Sequence, residues 1–382
     1  METRRFVTFL FVVILLLVNT QSAVSWGFFA HKRINRLAVF ALPPEMMPFF
    51  KTHIVYLTEN AVNPDKRRYA VEGEAERHYI DLDIYGDSAW YKVPHRWEDA
   101  VKKYTEDTLK AYGIVPWHII VMKYRLTAAM KKLEGKRILS LAADIGHYIG
   151  DANVPLHTTE NYNGQKTGQY GIHGFWESRL PELFSDNYDF FVGKAEYESD
   201  IQKRAWDAVW HANIALDSVF GYEKELSVQF TEDKKYSFEQ RGNVTTRVYS
   251  YEFSKAYHDK LAGQVERRMR ATVKMVADIW YTCWVDAGKP NLDAIIDLEF
   301  TEEEKKQMEE EQEQWRQGKI EVRPEASNYH PAMWLMGCCC SPIHFGGADL
   351  QEKNMKNTEK SPLPSTITGK ELIKQLRRGD NF

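Results

Sequence analysis

Apolar positions recur along most of this chain at the three- and four-residue spacing of one helix face. That spacing predicts helices over 29–41, 45–58, 97–111, 116–133, 138–149 and 173–184, then two long ones over 200–220 and 251–287. In the last, Leu261, Val265, Met269, Val273, Val276, Ile279 and Trp280 make one core-facing stripe. Strand-like alternation of β-branched residues is almost absent outside short runs. The pattern therefore reads as all-α, a single multi-helix bundle over 26–289 that closes at Gly288-Lys289-Pro290.

Both ends differ from this body. Arg4 and Arg5 precede the apolar run FVTFLFVVILLLV, and Ala23 and Ser25 are the small residues of a cleavage site before Trp26. The run is short against the roughly 20 residues of a spanning helix, so 1–25 reads as a signal peptide and the mature chain as exported, either secreted or periplasmic. No later stretch is apolar enough to span a membrane. From 290 to 382 the chain reads as a C-terminal extension: a charged helix over 302–317, then an irregular, mobile tail carrying Cys338, Cys339 and Cys340. With Cys283 the only other cysteine, there is no disulfide framework.

A net charge of −4 over 382 residues, with no basic stripe, argues against non-specific grip on a duplex backbone. It leaves open an enzyme whose metal ions hold phosphate. The stretch 150–177, GDANVPLHTTENYNGQKTGQYGIHGFWE, holds Asp151, His157, His173 and Glu177. His147 and Asp151 are i and i+4 on a predicted helix, as are His173 and Glu177 on the next, so each pair projects from one face. Nitrogen and oxygen donors so arranged suit borderline or hard cations. Taken singly, such pairs are usually surface contacts. Their joint occurrence, with WGFFAH at the expected new N-terminus, Asp65 in NPDKRRY and His78 in RHYIDLD, points to a metal centre.

This set of motifs resembles the zinc-dependent phospholipase C and S1/P1 nuclease superfamily. The resemblance runs from Trp26 to Glu177 in nine ligand positions. It implies a helical bundle of that type and three Zn²⁺ per chain. Asp65, His78, His147 and Asp151 would hold the first zinc. The Trp26 amine and carbonyl, His31 and a bridging Asp151 would hold the second, and His157, His173 and Glu177 the third. It also implies a water activated between two ions, with Asp65 as the catalytic carboxylate. Asp144, one turn before His147, and Asp81, shortly after His78, are candidate outer partners, a core polar role being equally open to both. Tyr79 is a candidate substrate contact. Arg67 and Arg68 could meet phosphate, though two exposed basic residues need no such role. His53, His95, His118, His211, His258, His330 and His344 lack partners at ligand spacing.

GDANVPLH, the Glu that ends HGFWE and the D-x-D of HYIDLD resemble bacterial phospholipases C. WGFFAH and the Trp before Glu177 resemble S1/P1 nucleases. Neither match is complete. No acid follows Trp26 as in choline-preferring phospholipases, and the His157–His173 loop is short for a nuclease and lacks its paired glycines. The expectation is a secreted zinc phosphodiesterase of phospholipase C type, meeting a membrane surface transiently and needing no stable protein partner. The alternatives are a nuclease acting on single-stranded DNA or RNA and a non-catalytic exported zinc-binding protein.

Overall fold

Four helices set the frame in the computed structural model, which describes residues 27–302 apart from 69, 242 and 243, together with residue 306. They are α1 (Gly27–Ala38), α2 (Val115–Lys131), α3 (Gly135–Ala152) and α4 (Gln264–Asp286). α3 lies innermost and packs on the other three. Every residue of it from Ala142 to Ala152 is buried, including Asp144, His147 and Asp151. Two carboxyl groups and an imidazole on a core helix cost heavily unless each meets partners, so this helix already marks where the chemistry sits. Around it, Phe49, Phe50, Ile145, Val276 and Trp280 fill the core, and Trp280 Nε1 donates to Ala142 O (3.1 Å).

The chain is mostly helical, with one small two-stranded sheet. All seven positions of the expected stripe are buried, but several of the expected helices are divided. The 251–287 helix breaks into Tyr251–Lys260 and α4, where Ala262 and Gly263 take positive φ (50° and 75°). The 97–111 helix breaks at Thr105, whose φ of 69° ends one turn while its hydroxyl caps the next by accepting from Thr108 N. The helices expected over 45–58 and 200–220 part at His53 and after Asn213.

The wholly α reading needs one correction. Residues Tyr236–Arg241 (β1) and Val244–Tyr249 (β2) form an antiparallel hairpin. The sequence carried the signal: aromatic and β-branched residues flank Gly242-Asn243, a pair of the kind that turns hairpins. Past Pro290 the chain stays against the body, with Leu298 packed on Gly135 and Phe300 stacked on Tyr56. Among the described residues no helix is long and apolar enough to cross a membrane. The expected leader (1–25), Trp26, most of the charged helix over 302–317, Cys338–Cys340, His330 and His344 lie outside the described residues.

Candidate metal centre

His147 and Asp151 stand one turn apart on α3, 0% and 2% exposed. His31 reaches them from α1 because two glycines on α3 make room for the crossing. A Cβ on Gly146 would lie 2.0 Å from Asn35 Oδ1, and one on Gly150 would lie 2.5 Å from His31 Cε1 and Nδ1. The close approach stacks the His31 ring on His147, centroids 4.0 Å apart. His78 comes from a short turn, Ala75–His78, and the backbone after it is sewn down on both sides. Asp81 N donates to Tyr112 O (2.8 Å), Val115 N to Tyr79 O (3.1 Å) and Ile80 N to His157 O (2.9 Å). Asp65 enters from the helix Asn63–Arg67.

The two oxygens of Asp151 face different donors. Oδ2 lies 2.9 Å from His78 Nδ1 and 3.3 Å from His147 Nε2. Oδ1 lies 3.3 Å from His31 Nε2 and 3.7 Å from His157 Nε2. Asp65 Oδ1 completes the first set, 3.6 Å from His147 Nε2 and 3.7 Å from His78 Nδ1. Donors bound to one ion at 2.0–2.1 Å in a tetrahedron stand about 3.3 Å apart, and these separations bracket that value. On two of the histidines the ring nitrogen turned away is also provided for: His147 Nδ1 lies 2.9 Å from Ala61 O and His157 Nδ1 2.6 Å from His78 O. Donation there leaves each Nε2 lone pair for a cation.

His157, His173 and Glu177 make a third group. Glu177 Oε2 is 2.9 Å from His173 Nε2 and 3.2 Å from His157 Nε2. Against the effect of burial, the two imidazoles converge on the same carboxylate oxygen and, through their charge and hydrogen bonding, hold the Glu177 carboxyl below its ordinary range. His173 Nε2 also lies 3.2 Å from His157 Nε2, so three donor atoms converge on one point, a spacing that one ion would bridge. Glu177 stands in a π-helical segment, Phe175–Arg179, inside the helix expected over 173–184, and such wider turns are common at functional sites. The unexpected hairpin holds both ends of that segment. Phe175 stacks on Tyr249 (3.8 Å), and Arg179 forks onto Glu239 and bonds Tyr249 O.

His/Asp/Glu groups able to hold a metal ion are thus present: His31–Asp65–His147, His78–His147–Asp151 and His157–His173–Glu177, with donor atoms within 4.8 Å in each. His31 joins Asp65 and His147 as well as Asp151, so the first two sets are continuous. The donors also set one another's protonation. Burial would raise the Asp65 and Asp151 carboxyls, but His147, with His78 beside Asp65 and His157 beside Asp151, holds both below the ordinary range. Burial would lower His147, but Asp151 and Asp65 hold it well above its ordinary value. At His78 burial wins over Asp151 and lowers the ring to about 4.

Other expected residues take different places. Asp144 does not back His147; it pairs with Arg67 (2.9 Å), and Ala61 O takes the backing position. Asp81 lies buried near Tyr85, while Asp83 of the same D-x-D accepts from Thr159 Oγ1 (2.9 Å) and Glu160 N (3.0 Å) and so pins the loop after His157. Tyr79 is half-buried, its hydroxyl donating to Ala111 O (3.4 Å). Arg67 and Arg68 are half-buried rather than exposed. No acid pairs with Arg68 among the described residues, and its charge acts on both His78 and His157. His53, His95, His118, His211 and His258 fall outside the three groups. A buried acid absent from the expected set, Glu74, stands behind His78; its place four residues before a ligand histidine was its only sequence signal. No protein-family model and no curated protein matches the chain.

Proposed function

We propose that this protein is an exported zinc-dependent phosphodiesterase of the phospholipase C and S1/P1 nuclease superfamily, acting on phospholipid headgroups. The observation that carries the reading is Asp151, one carboxylate with an oxygen turned to each of two neighbouring donor sets, and a third set adjoining it. Five imidazoles and three carboxylates suit zinc better than a hard cation. Zinc bound there supplies Lewis acidity, which activates water near neutral pH and offsets charge gathering on phosphorus. The Trp26 amine belongs to the same reading, as a further donor beside His31.

The chain's own residues do the rest. Asp65 offers Oδ1 to His147 and His78, leaving Oδ2 to orient the attacking water and accept its proton. Arg68 brings a positive charge within reach of both His78 and His157, where a phosphodiester oxygen needs one. The aromatic rim residue Tyr79 flanks a lipid headgroup in this reading and a nucleobase in the alternative one. Trp176, a nuclease-like feature in sequence, is buried and donates to Gln264 Oε1 (3.0 Å). It serves packing and does not favour a nucleic acid. The test is the mature protein assayed side by side on phosphatidylcholine, other phospholipids, single-stranded DNA and RNA. Phospholipid turnover is expected; turnover of nucleic acid alone would move the protein to the nuclease branch, and no turnover of any would leave a zinc-binding protein.

A further inference from the structure

His78 differs from the other buried ligand histidines in which nitrogen faces the donor cluster. His147 and His157 present Nε2 and turn Nδ1 to a backbone carbonyl. His78 presents Nδ1, and its Nε2 is buried with no hydrogen-bond partner. Once Nδ1 gives its lone pair to a cation, Nε2 must carry the proton, and a buried N–H needs an acceptor. Among the described residues Glu74 Oε1 faces it as an acceptor, 3.8 Å away.

Glu74 is built for more than its own neutralisation. It is 1% exposed. Arg77 Nη1 donates to Oε2 (2.7 Å), Tyr148 Oη donates to Oε1, and Arg67 Nη2 stands 3.7 Å from Oε1. Tyr148 follows His147 on α3, and its ring meets the His78 ring edge-on at 5.5 Å. Two guanidiniums and a phenol offset the cost of burying the acid, and Oε1 still has a lone pair toward His78. Closing the gap to a charge-assisted hydrogen bond takes a ring movement of about 1 Å.

We infer that Glu74 is a positioning residue of the metal centre: it accepts from His78 Nε2–H and thereby commits Nδ1 to the cation. The inference rests on the zinc reading above. It is tested in the full mature chain with Glu74→Gln, which keeps the volume and loses the charge. Two measurements are needed: zinc affinity by competition with a chromophoric chelator, and the NMR resonance of the His78 Nε2 proton in zinc-loaded protein, assigned by its loss in His78→Asn. The expected result is one zinc equivalent bound about 10- to 100-fold more weakly, with the Nε2 proton shifted toward that of a weaker hydrogen bond. If Glu74→Gln prevents folding, Glu74→Asp keeps the charge but withdraws it by one methylene, and the same two changes are expected. A folded variant with unchanged zinc affinity and an unmoved His78 resonance overturns the inference, even if it melts earlier, because a purely structural acid would alter stability alone. A wild-type chain that takes up no zinc overturns the metal centre itself, and this inference with it.

Discussion

The crossing of α1 over α3 is the part of the account that one methyl group can break. Gly150→Ala would place a Cβ 2.5 Å from His31 Cε1 and Nδ1. Carbon atoms in contact stand about 3.5–4.0 Å apart, so the ring must retreat by at least about 1 Å. Metal–ligand distances tolerate only about 0.2 Å, so a retreat of that size removes His31 Nε2 from its place 3.3 Å from Asp151 Oδ1. The helix itself favours alanine by roughly 0.8–1 kcal/mol, while overpacking costs about 1–3 kcal/mol. The variant should therefore fold, weakened by no more than about 2 kcal/mol, and fail locally. Metal analysis should find about one zinc fewer per chain, and turnover should fall roughly 100-fold, as for a 1 Å misplacement of a reacting group. Gly221→Ala is the control, since a Cβ there meets nothing within 4 Å. If Gly150→Ala keeps its full zinc and turnover, the helix crossing does not place His31, and the reasoning fails.

Three further outcomes follow from the same geometry. Removing zinc with a chelator should abolish activity and lower the melting temperature, since metal held only by the native state adds to folding stability; an unchanged melting curve would make zinc irrelevant to the fold. Asp151→Asn should lose more turnover at saturating zinc than Glu177→Gln, because Asp151 faces two donor sets and Glu177 one; equal losses would count against the bridging role. Zinc affinity should fall steeply as pH is lowered through the raised value of His147, because proton and zinc compete for Nε2. Calorimetric titrations in buffers of different ionisation enthalpy should accordingly show protons released on zinc binding, and a pH-independent affinity would exclude His147 as a ligand.

The sequence disclosed the parts of this site that obey a local period. His147–Asp151 and His173–Glu177 were legible because a helix puts i and i+4 on one face whatever surrounds it. Asp65 and His78 could be given to a particular zinc only through the resemblance, since no spacing rule links them to α3. The roles of Gly146 and Gly150 were hidden, because a glycine inside a helix reads as a weakness until the helix that crosses it is known. Glu74 was hidden for a similar reason: Arg77 is a local i,i+3 neighbour, but Arg67 and Tyr148 reach it only in three dimensions. The hairpin has a turn pair in Gly242-Asn243, but its alternation is diluted by Glu239, Gln240 and Arg247. Thr105 could not have been foreseen, since a β-branched residue rarely takes positive φ.

The central claim is that His31, Asp65, His78, His147, Asp151, His157, His173 and Glu177, with the Trp26 amine, hold zinc as a group. Diffraction from crystals of the mature protein on the two sides of the zinc absorption edge tests it most directly. The account expects three anomalous peaks per chain, two flanking Asp151 and one enclosed by His157, His173 and Glu177. Crystals of zinc-saturated protein with no peak there, or with zinc bound only elsewhere, would contradict it.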